Sequence, residues 1–148
     1  MTVRDARADE LSVELLAPCE GSSVSRDHRV TIRAPFGRIG VQSLPIVHPF
    51  IALPVEVWGP PGTRAHVRLR FERPGEDVDL DVGPPIELTF DGSGICGIAA
   101  SLERLWLRSE GVHAVAVLAG DRVLARRRIT VVRIPEWDWP KNEVPGAL

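Results

Sequence analysis

From Ala65 to Glu72, apolar and polar residues alternate without a break. Ala65, Val67, Leu69 and Phe71 fall on one side of an extended chain, and His66, Arg68, Arg70 and Glu72 on the other. Side chains at every second position share a face of a strand, so this run specifies a strand with one face buried. The same two-residue period recurs in Leu11–Val13–Leu15, Val30–Ile32, Ile51–Leu53–Val55–Val57, Val78–Leu80–Val82 and Ile86–Leu88–Phe90. Helix-period segments are scarce. Thirteen prolines and thirteen glycines punctuate a chain of 148 residues, which places turns at short intervals.

The expected fold is therefore all-β: an antiparallel two-sheet sandwich of seven to nine strands, with a small barrel as the alternative. Residues 1–9 read as a flexible leader, 10–134 as the sandwich domain and 135–148 as a tryptophan-containing tail, partly disordered. Residues 65–72 and 77–82, joined by a turn at 73–76, read as a hairpin that sets Arg68 and Arg70 opposite aspartates. Glu20–Ser23 reads as a loop. Residues 34–50, interrupted by five glycines and prolines, read as an irregular crossover with one short strand near 38–43. Pro54 points to an edge or a bulge. Residues 95–107 are expected to be extended, with a short helical turn as the alternative. Val112–Ala119 is apolar on both faces, which suits a central strand.

The last third carries a further pattern. Gly111-Val112-His113, then Val115-Ala116-Val117, then Gly120-Asp121-Arg122-Val123-Leu124 resembles the G-x-Tyr hairpin that closes many sandwich domains, with His113 at the tyrosine position. With the strand-Pro18-Cys19 opening and the proline-rich crossover, the order of elements is similar to uncharacterised bacterial β-sandwich families with an immunoglobulin-like character. That resemblance implies a fold and no activity.

Composition narrows the function classes. The net charge of −2 gives no electrostatic footprint for nucleic acid or an anionic membrane. Seventeen arginines against the single Lys141, with much alanine and proline, suggest a GC-rich bacterial coding sequence. No signal peptide and no spanning apolar stretch is legible, so a cytoplasmic home is expected, with Cys19 and Cys96 as buried free thiols.

No chemistry-bearing motif is specific. Asp77, Asp79 and Asp81 stand about 7 Å apart on a strand, too far for one ion to gather all three, and read as outer-face partners of arginines. The four histidines have no metal-ligand spacing, and no cofactor is implied. Cys96 or Ser101 with His113 can be written as a nucleophile and base, but no motif supports the set. Arg126, Arg127 and Arg128 form the densest cationic cluster and read as solvated arginines on an edge, with a phosphate or acidic-partner patch as the alternative. The tail segment Ile134-Pro135-Glu136-Trp137-Asp138-Trp139-Pro140, if extended, puts two tryptophans on one side, and reads either as folded back over an open sheet end or as docked into a partner or a second copy, tryptophan being enriched at interface hot spots.

The expected role is a non-catalytic accessory or protein-interaction module, self-association included, with Trp137, Trp139, Arg126 and Arg128 as its partner-binding residues. The alternative is a small-ligand or carbohydrate-binding sandwich with Trp58 and Trp106 as a stacking platform. An enzyme ranks third.

Overall fold

A computed structural model of the chain describes residues 3–75 and 80–134. Eleven strands build two stacked sheets: β1 (Arg4–Asp5), β2 (Ser12–Leu16), β3 (Cys19–Val24), β4 (Val30–Pro35), β5 (Arg38–Val41), β6 (Ile46–Trp58), β7 (Thr63–Glu72), β8 (Leu80–Thr89), β9 (Ile95–Leu107), β10 (Gly111–Ala119) and β11 (Arg122–Arg133). The first sheet runs β1-β7-β10-β11-β5 with β8 on β7, and the second runs β2-β6-β3-β4 with β9 on β6. The sandwich is as expected, but the described residues hold eleven strands rather than seven to nine, and β1/β7 and β5/β11 are parallel pairs. The additional strands are short or polar, so they carry little of the apolar alternation by which a strand is counted from sequence.

Two of these lie where strands were not expected. Glu20–Ser23 belongs to β3, in antiparallel register with β4 from Cys19↔Pro35 to Val24↔Val30. A ladder is made by the backbone, and an exposed hairpin needs no apolar face to close it. The leader pairs at Arg4↔Thr63 and Asp5↔Arg64, where the Arg64 Nε lies 2.7 Å from Asp5. Ladder bonds and this exposed ion pair hold it, and Ala6 and Ala8, partly buried, pack against the core.

The core fills the space between the sheets. Val67, Leu69 and Phe71 of β7, Val115 and Val117 of β10, and Ile129 and Val131 of β11 face Ile51, Leu53, Val55 and Val57 of β6 and Leu102, Leu105 and Leu107 of β9. Fully burying a side chain such as Phe71 or Leu53 contributes about 1.5–3 kcal/mol relative to leaving it exposed. Strand β10 sits between β7 and β11, and Ala114 through Ala119 are buried on both faces, in line with its apolar sequence. On its outer face the small Ala114 and Ala116 leave room for Arg70, Glu72 and Arg126 from the flanking strands to meet above them.

Pro54 lies inside the long strand β6, yet it breaks no ladder bond. Its carbonyl accepts from the Ala17 N–H, at the gap where β2 hands over to β3 along the same edge of β6. The missing N–H faces that gap. Likewise the two strands expected at 78–82 and 86–90 join as β8. Gly83, Pro84 and Pro85 bulge out of register between Leu69↔Val82 and Val67↔Ile86. The expected opposition of Arg70 and Asp81 is present in that register, but Arg68, expected opposite an aspartate as well, faces the bulge and donates to the Gly120 carbonyl. Asp77 and Asp79 lie outside the described residues.

Candidate functional site

Strand β5 forms one margin of the first sheet. The Thr130 N–H donates to the Gly37 carbonyl (2.8 Å) and the Ile134 N–H to the Val41 carbonyl (2.7 Å). In a strand, N–H and C=O groups alternate between the two edges. Gly37, Ile39 and Val41 therefore point at β11, while Arg38 and Gly40 turn their backbone groups to the open edge. No described strand pairs there.

A trough runs beside this edge. Its central part, about 480 Å³, is lined by Phe36, Arg38, Ile39, Gly40, His48, Pro49, Phe50 and Glu20. It continues at Gly40, His48 and Pro49 into a cleft of about 240 Å³ that adds Val41, Gln42, Ile46 and Val47. At Phe36 it meets a third cleft of about 590 Å³, walled by Leu16, Ala17, Pro18, Pro35, Gly37 and the three arginines 126–128. The trough is thus apolar at the Val41 end and basic at the other. Val47 and Phe50, each 45% exposed, add apolar surface to its walls. Gly40 makes room for the Ile134 side chain, which a Cβ there would meet.

The arginine cluster divides by role. Strand β5 covers β11 only from Thr130 to Arg133, so residues 122–128 lie on an edge, as expected of solvated edge arginines. Arg126 is held by Glu72, with contacts of 2.5 Å and 2.9 Å. The Arg126 hydrogen bonds, with those from Arg70, hold the Glu72 carboxyl below its ordinary pKa. Arg127 is on the inner face and donates from Nε to the Leu16 carbonyl (2.9 Å), which ties one sheet to the other. Arg128 is exposed and, like Arg38, has no acidic partner among the described residues. Trp137 and Trp139 lie outside the described residues.

The remaining candidates do not assemble. Trp58 and Trp106 are both exposed but lie eleven register positions apart on the β6/β9 pair, opposite Ile95 and Val47. That separation is roughly 36 Å at strand rise, so they form no common platform. His113 is buried, stacks on Phe71 with ring centroids 5.5 Å apart and approaches the Gly111 carbonyl at 3.0 Å from Nδ1. A carbonyl only accepts, so Nδ1 carries the proton. In place of a tyrosine corner, the imidazole ties back to the start of its own strand. Burial lowers its pKa, and Arg73 adds to the effect. Cys96 and Ser101 belong to the opposite sheet from His113.

One cluster without a sequence signal joins His28, Asp91 and Gly97. The Gly97 N–H donates to His28 Nδ1 at 3.1 Å, and Asp91 lies 3.9 Å from Nε2. This occupies the lone pair that a base for the neighbouring Cys96 would need. Burial raises the Cys96 and Cys19 thiols above their ordinary value, the reverse of an activated nucleophile. Both cysteines are unbridged, as expected.

No known protein-family model and no curated protein sequence matches this chain. Solved structures do resemble it. The alkylpurine DNA glycosylase AlkC of Pseudomonas fluorescens is 11% identical with a TM-score of 0.51, over 82% of this chain and 30% of that one. A β-glucosidase of Listeria innocua is 8% identical with a TM-score of 0.51, over 85% of this chain and 16% of that one. An immunoglobulin-like protein of Pseudomonas aeruginosa matches 83% of this chain and 97% of its own at 15% identity, with a TM-score of 0.42. The chain spans less than a third of the length of the glycosylase and the glucosidase. At such identities the likeness concerns the fold alone. Among the described residues no helix is long and apolar enough to cross a membrane, and no group of histidine, cysteine and acidic residues has metal-site geometry.

Proposed function

We propose that this chain is a non-catalytic protein-interaction module that offers the β5 edge and its trough to an extended protein segment, a second copy of itself included. The carrying observation is the coincidence of an open edge with a flanking trough. Outward backbone groups at Arg38 and Gly40 supply ladder bonds to an added strand, and the pockets around Phe36 and Phe50 accept alternate side chains. This is how sheet edges recruit peptides: main-chain bonds provide affinity and pockets provide selectivity. Arg38 and Arg128, which have no acidic partner among the described residues, favour an acidic one.

Light scattering of the full chain and of a chain ending at Ile134 tests the reading. The two masses are expected to differ. Arg38→Pro, which removes an N–H aimed at the open edge and none aimed at β11, is expected to abolish the difference. Equal monomeric masses for both chains would remove self-association from the proposal.

A further inference from the structure

We infer that the cleft beside the uncovered half of β11 is a phosphate-monoester site, with the phosphate held between Arg127 and Arg128 and its organic body on the apolar wall opposite. This goes beyond the reading of the β5 edge, because it needs no strand to pair there, and the two fail separately.

The backbone opens the site. Thr130 sends its N–H to the Gly37 carbonyl and Ile134 to that of Val41, so the even-numbered residues of this stretch turn their backbone groups toward β5. Strand β5 reaches back no further than Thr130. The Arg128 N–H and C=O are therefore left at the rim of the cleft of about 590 Å³, with no strand against them among the described residues. The side chains follow from the same alternation. Arg127 stands on the inner face and Arg128 on the outer, yet both line the cleft, so two cations approach it from opposite sides of one bare edge. Arg127 commits Nε to the Leu16 carbonyl at 2.9 Å, which fixes the plane of its guanidinium and keeps both Nη groups for another acceptor. Arg128 is exposed and keeps its whole fork.

The charge balance selects the ligand. No carboxylate lines the cleft, and Glu72 is taken up by Arg126 and Arg70. Two guanidinium groups remain unbalanced. A carboxylate carries one charge and is filled by one fork, whereas a phosphate monoester carries about 1.5 to 2 negative charges and three acceptor oxygens. It suits two forks on opposite sides and a main-chain N–H between them. The facing wall of Leu16, Ala17, Pro18, Pro35 and Phe36 brings no charge, and the cleft is far wider than a phosphate group. Its size is that of a small-molecule site, so the wall takes an apolar body attached through the ester oxygen. Such a group arrives on a small organic phosphate or on a phosphorylated side chain of a partner segment.

The test titrates phenyl phosphate into the full chain, with binding read by calorimetry and from the arginine Nε–Hε resonances. Saturable binding is expected with a Kd on the order of 0.1–1 mM. It should be about ten-fold weaker for inorganic phosphate, which lacks the body, and for benzoate, which lacks the second charge. Affinity should rise from about pH 5 to 7 as the ester gains its second charge. Arg128→Gln is expected to weaken binding about ten-fold, and Arg128→Lys, which keeps the charge without the fork, by less. Arg26→Gln, at an exposed position between β3 and β4, should leave it unchanged, and the urea midpoint of each variant confirms the fold. No saturation up to about 10 mM phenyl phosphate, undiminished binding in Arg128→Gln, or an equal loss in Arg26→Gln overturns the inference. Benzoate bound as tightly as phenyl phosphate overturns it too. A phosphoserine peptide with valine at alternate positions separates the two sources. Tighter binding than phenyl phosphate, lost in Arg38→Pro, assigns the group to a docked segment. Binding no tighter, and indifferent to Arg38→Pro, assigns it to a small ester. Phenyl phosphate binding that persists in Arg38→Pro keeps this site whatever becomes of the β5 edge.

Discussion

At the scale of single residues, His113 shows how a position that looks chemical in sequence becomes structural. Its ring is buried against Phe71 and donates to the Gly111 carbonyl, and burial lowers its pKa. His48, half-buried at the trough, is lowered for the same reason. For a histidine with a depressed folded-state pKa, the unfolded chain takes up the proton more readily. The stability due to the neutral ring is full above about pH 6.5 and is lost as pH falls through the folded-state value. The carboxylates lowered by ion pairs, Glu72 and Glu10 (pulled down to about 2), titrate below this window. Urea unfolding is therefore expected to show stability falling between pH 6.5 and 5 in the parent. In His113→Gln, which keeps a donor for Gly111, the fall should be shallower. An unchanged slope in that variant would mean that the buried ring does not set the pH response.

At the scale of elements, strands β6 and β9 explain both what the sequence made legible and what it hid. Ile51, Leu53, Val55 and Val57 keep strict alternation, as do Ala65 to Phe71, and each forms a strand where the period placed it. Residues 95–107 were ambiguous because Leu102 and Leu105, three apart, are both buried. The cause is a phase slip. Arg104 adopts φ +53°, and Pro49 stands across from it, between the pairs Phe50↔Glu103 and His48↔Leu105. Both strands step together, so the register survives while the inward set changes from Cys96, Ile98, Ala100 and Leu102 to Leu105 and Leu107. A three-residue gap in a strand mimics a helical period, and no local rule separates the two. The trough was hidden for a related reason: its walls, Phe36, Gly40, Pro49 and Arg128, come from three separate stretches that only the topology joins. A non-glycine residue in the left-handed region costs about 1–2 kcal/mol. Arg104→Gly is accordingly expected to stabilise the fold by about 1 kcal/mol and Arg104→Val to destabilise it by at least as much. Equal midpoints for the three proteins in urea would show that the slip carries no backbone strain.

At the scale of the whole molecule, the two sheets are joined mainly by the core, and polar ties between them are few. Arg127 is one of them. It stands at an inward position of β11, where Ile129 and Val131 continue the core, but at a margin where the sandwich opens beside Leu16. The arginine stem covers apolar surface, and its Nε closes the gap to the Leu16 carbonyl of β2 in the opposite sheet. A hydrogen bond from a charged donor is worth about 1.5–3 kcal/mol, whereas an exposed side chain without partners contributes within about 0.5 kcal/mol. Arg127→Met, which preserves the stem and deletes the donor, is expected to lower stability by about 1–3 kcal/mol. Arg128→Met, one residue on and on the opposite face, is expected to leave it within about 0.5 kcal/mol. Neighbouring arginines with the same exposure in sequence would thus separate into a clasp and a binding group. If Arg128→Met proved the more damaging of the two, Arg128 would be a structural residue and unavailable to an acidic partner in the trough. The basic end of the proposed docking surface would then rest on Arg38 alone.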